Sequence, residues 1–300
     1  MKLVFLSVLL SLQPAGGQSL GPKPLARLHT VASAGLVSAV NRNDASLAIK
    51  TWFELLGGEL GLHVDSRIDM VEEPERMLGR LRQKSADALV LDVFDYLWLE
   101  PHGFIQPVLI AERSGKAGAR SPYVLLAPPG DAGVADLRGK ILSHYSRGES
   151  NMGIVWLEVA LAEAGLGRST SFFAAIKPTA KPQECVHSLF FAKVDACLVD
   201  EANFNLLKEM NPQLARLRVI ARSAPLVEMV IALPVIPHPY QRKLVDTALS
   251  LHHTPRGKQL LMVFKAARLA PASSSDLDSA RALWAAHRKV RDKSVPAIKE

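Results

Sequence analysis

Cysteine is almost missing from this 300-residue chain: Cys185 and Cys197, twelve positions apart, are the only two. That spacing matches no zinc or iron–sulfur pattern, so a cysteine-built metal centre has no support. In an oxidising compartment the two could pair, or they could be separate buried thiols, and the residues alone leave both open. Aromatic residues are sparse too, at 6%. None interleaves with the one concentration of basic residues, His287–Lys293 ("HRKVRDK"). The net charge of +7 therefore does not read as a nucleic-acid surface, and no nucleic-acid partner is expected. A solvated helix face accounts for that basic tail. Also missing are a Walker A loop, a G-x-G-x-x-G turn and any low-complexity tract. His252 and His253 are adjacent rather than four apart, so one helix face cannot offer both to a metal. No cofactor or metal is expected.

What is present is the composition of a soluble globular protein, 48% hydrophobic and 22% charged, long enough for one large domain or two ordinary ones. The N-terminus, "MKLVFLSVLLSLQPAGGQS", carries one cation, an apolar stretch from Leu3 to Leu12, then Pro14 and small residues. This is a secretory signal pattern with a small-x-small site at Ala15-Gly16-Gly17. The stretch is too short for a permanent anchor, which needs about 20 residues. The expectation is a signal segment over residues 1–17, export, and no membrane span after processing.

Beyond it, apolar runs of strand length alternate with helical patterns. Strands are expected at Leu28–Val37, "LHVDSRIDM" and "DALVLDV", with helices at "DASLAIKTWFELLGGELG" behind Asp44 and at "EEPERMLGRLRQKSA" with Pro74 in the first turn. After a Gly- and Arg-rich break at Arg113–Pro122 the rhythm resumes: "YVLLAPPG", "KILSHY", a helix after Gly153, "SFFAAI", a helix near Gln183–Ala192, "DACLVD", a helix near Glu201–Met210, and "LRVIARS". Three helical patterns close the chain. Strand–helix alternation of this kind economically gives parallel sheets covered by helices, in two serial α/β units with a crevice between them.

Ligands of such sheets meet strand C-ends and helix N-ends. The polar loop Ser143–Gly153 sits at such a place, before a helix striped by Ile154, Leu157, Leu161 and Ala164. Ser150 and Asn151 could cap that helix or hold a ligand, and Arg147 adds charge. "GESNMG" falls one residue short of the G-x-S-x-G nucleophile turn, because Gly153 arrives late, so catalysis by Ser150 is not expected. "LVLDVFDYLWL" ends a strand with Asp92, Asp95 and Tyr96, and "LVDEANF" repeats the arrangement with Asp200 and Glu201. Helix capping explains the carboxylates as well as ligand binding does.

The order of these pieces resembles the periplasmic solute-binding proteins of the phosphate/phosphite/phosphonate ABC-transporter family. The likeness runs from about Leu28 to Pro271 through "LGGELGLHV", "RLRQKSADALVLDVFDY", "DLRGKIL", "KVDACLVDE" and "ALSLHHTPRGKQLL". The resemblance implies the type 2 two-lobed α/β fold, with a mixed sheet in each lobe and a ligand cleft between them. Lobe 1 would comprise residues 28–118 plus 222–300, and lobe 2 residues 119–221. It also implies a non-enzymatic, monomeric receptor that hands a small solute to an ABC permease; a sensory partner of a membrane receptor and an enzyme on the same fold are the alternatives. The family's hydroxyl-rich Ser/Thr-Ser/Thr-Ser-Gly set corresponds to Ser150-Asn151-Met152-Gly153, and its ligand-facing Tyr to Tyr96. Tyr96, Ser150 and Asn151 are the expected contacts, with Asp92, Asp95, Arg147, Met152, Gly153 and Asp200 around them. Asp92, Asp95 and Glu149 make a cationic or zwitterionic solute as open as a tetrahedral phosphonate.

Overall fold

The computed structural model describes residues 25–37, 42–60, 63–112, 120–130, 133–145, 151–236, 239–263 and 266–292. The expected signal segment at 1–17, and Arg147, Glu149 and Ser150 of the polar loop, lie outside the described residues.

Strand β1 (Leu25–Ser33) leads through one helical turn, α1 (Ala34–Val37), into α2 (Arg42–Leu60) and β2 (His63–Val71). Helix α3 (Pro74–Arg82), β3 (Ala88–Asp92), α4 (Val93–Leu99) and β4 (Ile105–Glu112) follow. A second run holds β5 (Tyr123–Ala127), β6 (Ile141–Tyr145), α5 (Met152–Glu163), α6 (Ser169–Phe172) and β7 (Ala175–Thr179). It continues with α7 (Pro182–Phe190), β8 (Ala196–Asp200), α8 (Glu201–Met210) and β9 (Arg218–Arg222). The chain returns through β10 (Met229–Pro234), α9 (Gln241–Ser250), α10 (Pro255–Val263), β11 (Arg268–Pro271) and α11 (Asp278–Asp292).

These strands form two sheets, ordered β11-β4-β10-β3-β1-β2 and β7-β6-β8-β5-β9. Both are mixed, as the family resemblance implies. β1 runs parallel to β2 and β3, while β10 is antiparallel to β3 and β4. In the second sheet β6 is parallel to β7 and β8, and β5 is antiparallel to β8 and β9. Element rhythm alone predicts parallel sheets. It fails at β4, β5 and β10 because these strands are not joined to their sheet neighbours by a helical crossover, the connection that makes neighbours parallel. "SFFAAI" is also corrected: Ser169–Phe172 is a helical turn and the strand starts only at Ala175.

Side-chain alternation sorts each central strand between two apolar layers. On β3, Leu89 and Leu91 face the layer between the sheets and Ala88 and Val90 face the outer layer of α2, α9 and α10. On β8, Ala196 and Leu198 face the shared inner layer, while Cys197 and Val199 face α7 and α8. The inner layer joins Met77 and Leu81 of α3, Leu97 of α4, Leu157 and Leu161 of α5 and Leu283 of α11. The two lobes are connected by adjacent segments that pair where Ser121 and Leu226 exchange backbone hydrogen bonds of 3.3 Å. Cys185 on α7 and Cys197 on β8, 5.7 Å apart at Cα, form a disulfide that ties this helix to its sheet. No described helix is long and apolar enough to cross a membrane.

Candidate functional site

Two strands end in the residue that caps the next helix, and a third cap, Asn151, lies six residues past the end of β6; each side chain accepts from backbone N–H groups that have no partner within the helix. At the end of β3, Asp92 Oδ1 accepts from Phe94 N and Asp95 N, both at 2.9 Å, opening α4. Ser33 Oγ, at the end of β1, accepts from Asp92 N at 3.1 Å. At the end of β8, Asp200 accepts from Asn203 N at 3.0 Å. Before α5, Asn151 Oδ1 accepts from Ile154 N at 3.3 Å. Its amide nitrogen lies 2.8 Å from His144 Nδ1 and 3.2 Å from Tyr145 O. Donation by that amide makes Nδ1 the acceptor and places the ring proton of neutral His144 on Nε2. Burial pushes the His144 pKa down, which favours the neutral ring.

Between α4 and α5 the lobes leave a crevice of about 520 Å³. One wall is Pro74, Phe94, Asp95 and Trp98 of the first lobe. The other is built from α5 and its approaches, with His144, Asn151, Ile154, Val155 and Glu158, and from Ser169, Thr170 and Ile176 nearby. Trp284 of α11 completes the lining, stacked on Phe94 with ring centroids 5.0 Å apart. Glu158 accepts from Ser169 N at 3.3 Å and from Ser169 Oγ. Burial, and next the charge of Asp92, push the Asp95 carboxyl up to about 7. Among the described residues, no lysine or arginine lines the crevice.

Of the residues singled out from sequence, Asp95 and Asn151 meet across this space. Asp92 stands behind Asp95 as its cap. Tyr96 does not line the crevice: it is 1% exposed, and its hydroxyl donates to Glu100 Oε1 at 3.1 Å. Arg281 of α11 donates to the same carboxylate, Nε to Oε2 at 2.9 Å, and that bond above all holds Glu100 below the usual carboxylate range. Met152 and Gly153 are buried in the first turn of α5, and Asp200 is committed to α8; none of the three lines the crevice. Trp98, Trp284 and Glu158 line the crevice without being among the residues expected from sequence. No local signal marks them, because an aromatic or acid at helical spacing reads as core or solvated face until the lobes are placed together.

A crevice between two mixed α/β sheets, entered by helix starts from both, defines the two-lobed class of ligand receptors. The model of the family described as "ABC transporter, phosphonate, periplasmic substrate-binding protein" matches residues 34–277, and the chain belongs to that family. Its fold is similar to XAC2383 from Xanthomonas citri bound to ATP: TM-score 0.61 at 17% identity, covering 89% of this chain and 98% of the other. It is similar to a binding-protein component of an ABC phosphonate transporter from Pseudomonas aeruginosa, with TM-score 0.57, 11% identity and coverage of 92% and 91%. PhnD1 from Prochlorococcus marinus, in complex with methylphosphonate, gives TM-score 0.57, 13% identity and coverage of 88% and 98%. No functionally curated protein matches the sequence. The family is one of transport receptors, not of enzymes.

Proposed function

We propose that this chain, exported on its N-terminal segment and working as a monomer in the periplasm, captures a small polar solute between its lobes and presents it to an ABC permease. The observation that carries the reading is the shared crevice: Phe94, Asp95 and Trp98 come from one lobe, Asn151, Ile154 and Glu158 from the other. A solute touching both walls binds the closed arrangement better than the open one, so occupancy shifts the lobes toward closure. Closure is then the signal a permease reads. Family membership supports the transport role over the sensory one, and makes phosphonates the first compounds to try. The space suits a metabolite-sized ligand, within the usual range of small-molecule pockets.

The test is native mass spectrometry of freshly purified protein for a co-purifying solute, followed by thermal shift with phosphonates, amines and amino acids. A ligand present at 100 times its Kd stabilises the folded chain by about 2.7 kcal/mol, a readily measured rise in melting temperature. A protein that co-purifies with nothing and responds to no compound is not a solute receptor.

A further inference from the structure

We infer that the solute this crevice selects carries an organic cation, a quaternary ammonium or protonated amine, and that the cation is held without any need for a phosphonate group. The inference rests on the crevice being the solute site and adds the ligand's chemistry. Three aromatic side chains line the space: Phe94 and Trp98 from α4, and Trp284 from α11. Aromatic faces attract cations through the negative potential over the ring, most strongly for tryptophan and where water is excluded. The ionisable side chains beside them are Asp95 on one wall and Glu158 on the other, with neutral His144 near Asn151. No described lysine or arginine stands there to neutralise an anion.

The helix starts point the same way. The start of a helix is an anion seat only while its N–H groups are open. Here Phe94 N and Asp95 N already donate to Asp92, and Ile154 N donates to Asn151. The carboxylate at α4 supplies from within the chain the negative charge that a bound phosphonate would bring. A phosphonate with no cation would face Asp95 and Glu158 and gain little from these caps, whereas an ammonium between Trp98, Trp284 and Asp95 is attracted by all three. It also relieves the burial of Asp95 beside Asp92, which by itself disfavours the ionised carboxyl.

The experiment is isothermal titration of the processed full chain at pH 8 with three probes at up to millimolar concentration: choline, methylphosphonate and an aminoalkylphosphonate. The expected result is that choline binds at least ten-fold more tightly than methylphosphonate. Asp95→Asn and Trp284→Ala should each weaken that binding ten-fold or more. Trp98→Ala serves as a second aromatic variant should Trp284→Ala fail to fold. Methylphosphonate binding within ten-fold of choline, or binding by the aminoalkylphosphonate but not choline, overturns the inference and leaves the receptor reading intact. Cation binding untouched by these substitutions, or no binding by any probe, overturns it as well. In the last case the solute found by native mass spectrometry separately decides the receptor reading.

Discussion

Replacing Gly153 with alanine sets two effects of opposite sign against each other. Gly153 lies in the first turn of α5, where Ala is the better helix former by up to about 1 kcal/mol. A Cβ at this position, however, would lie 2.7 Å from Tyr123 Cδ1 and 2.9 Å from Cε1. The ring has little room to retreat, since Tyr123 is buried and its hydroxyl donates to Glu228 Oε1 at 2.7 Å. Overpacking of this kind costs about 1–3 kcal/mol. The contact outweighs the helix gain, so Gly153→Ala should lose about 1–2 kcal/mol net, read as a lower urea midpoint at constant m-value. In a Tyr123→Val background the obstructing ring is gone, and the same substitution should become neutral or stabilising; the double-mutant cycle isolates this coupling. If Gly153→Ala raises the midpoint in the native background, the ring is not the constraint and the packing argument is wrong.

Three further outcomes follow from the same geometry. Removing the Cys185–Cys197 bond with a double Cys→Ala variant should cost about 3 kcal/mol in the chain-entropy account of a loop this size, measured by denaturant unfolding under non-reducing conditions. Arg281→Ala strips Glu100 of its guanidinium partner and should lower stability by roughly 1–3 kcal/mol, with the Glu100 carboxyl titrating at higher pH by NMR. The Asp95 carboxyl titrates near 7 in the folded chain against an ordinary 3.8, so the unfolded chain releases this proton first as pH rises. Its contribution therefore lowers stability progressively between about pH 4 and 7, and Asp95→Asn should stabilise the protein at pH 8 but not at pH 4.

Local chemistry made much of the fold legible, and long-range pairing hid the rest. Helix α8 begins at Glu201 and ends at Met210, as the sequence pattern predicts, because its cap, Asp200, adjoins it. β3 and β8 are apolar runs flanked by turn residues and need no distant partner to be recognised. β4 and β10 went unread: an apolar hexamer such as "MVIALP" is ambiguous until it is seen to lie antiparallel between residues over a hundred positions away. Ser171 and Phe172, expected in a strand, belong to a helical turn that Ser169 begins, with Glu158, eleven residues before Ser169, accepting from the Ser169 amide and hydroxyl. In the crevice lining, Asp95 and Asn151 were foreseeable because strand C-ends and helix starts are where such sheets present polar groups. Trp284 was not, since it reaches Phe94 from 190 residues further along the chain.

Helix α11 belongs physically to both halves: Arg281 grips Glu100 in the first lobe, while the helix lies along α5 in the second. Separating the halves therefore requires more than bending two linkers. Either the ion pair is surrendered or the contact of the helix with α5 is, and in the second case Trp284 leaves α5 with it. If the crevice is the solute site, the last helix is therefore the element whose packing on α5 a solute's entry and exit would disturb.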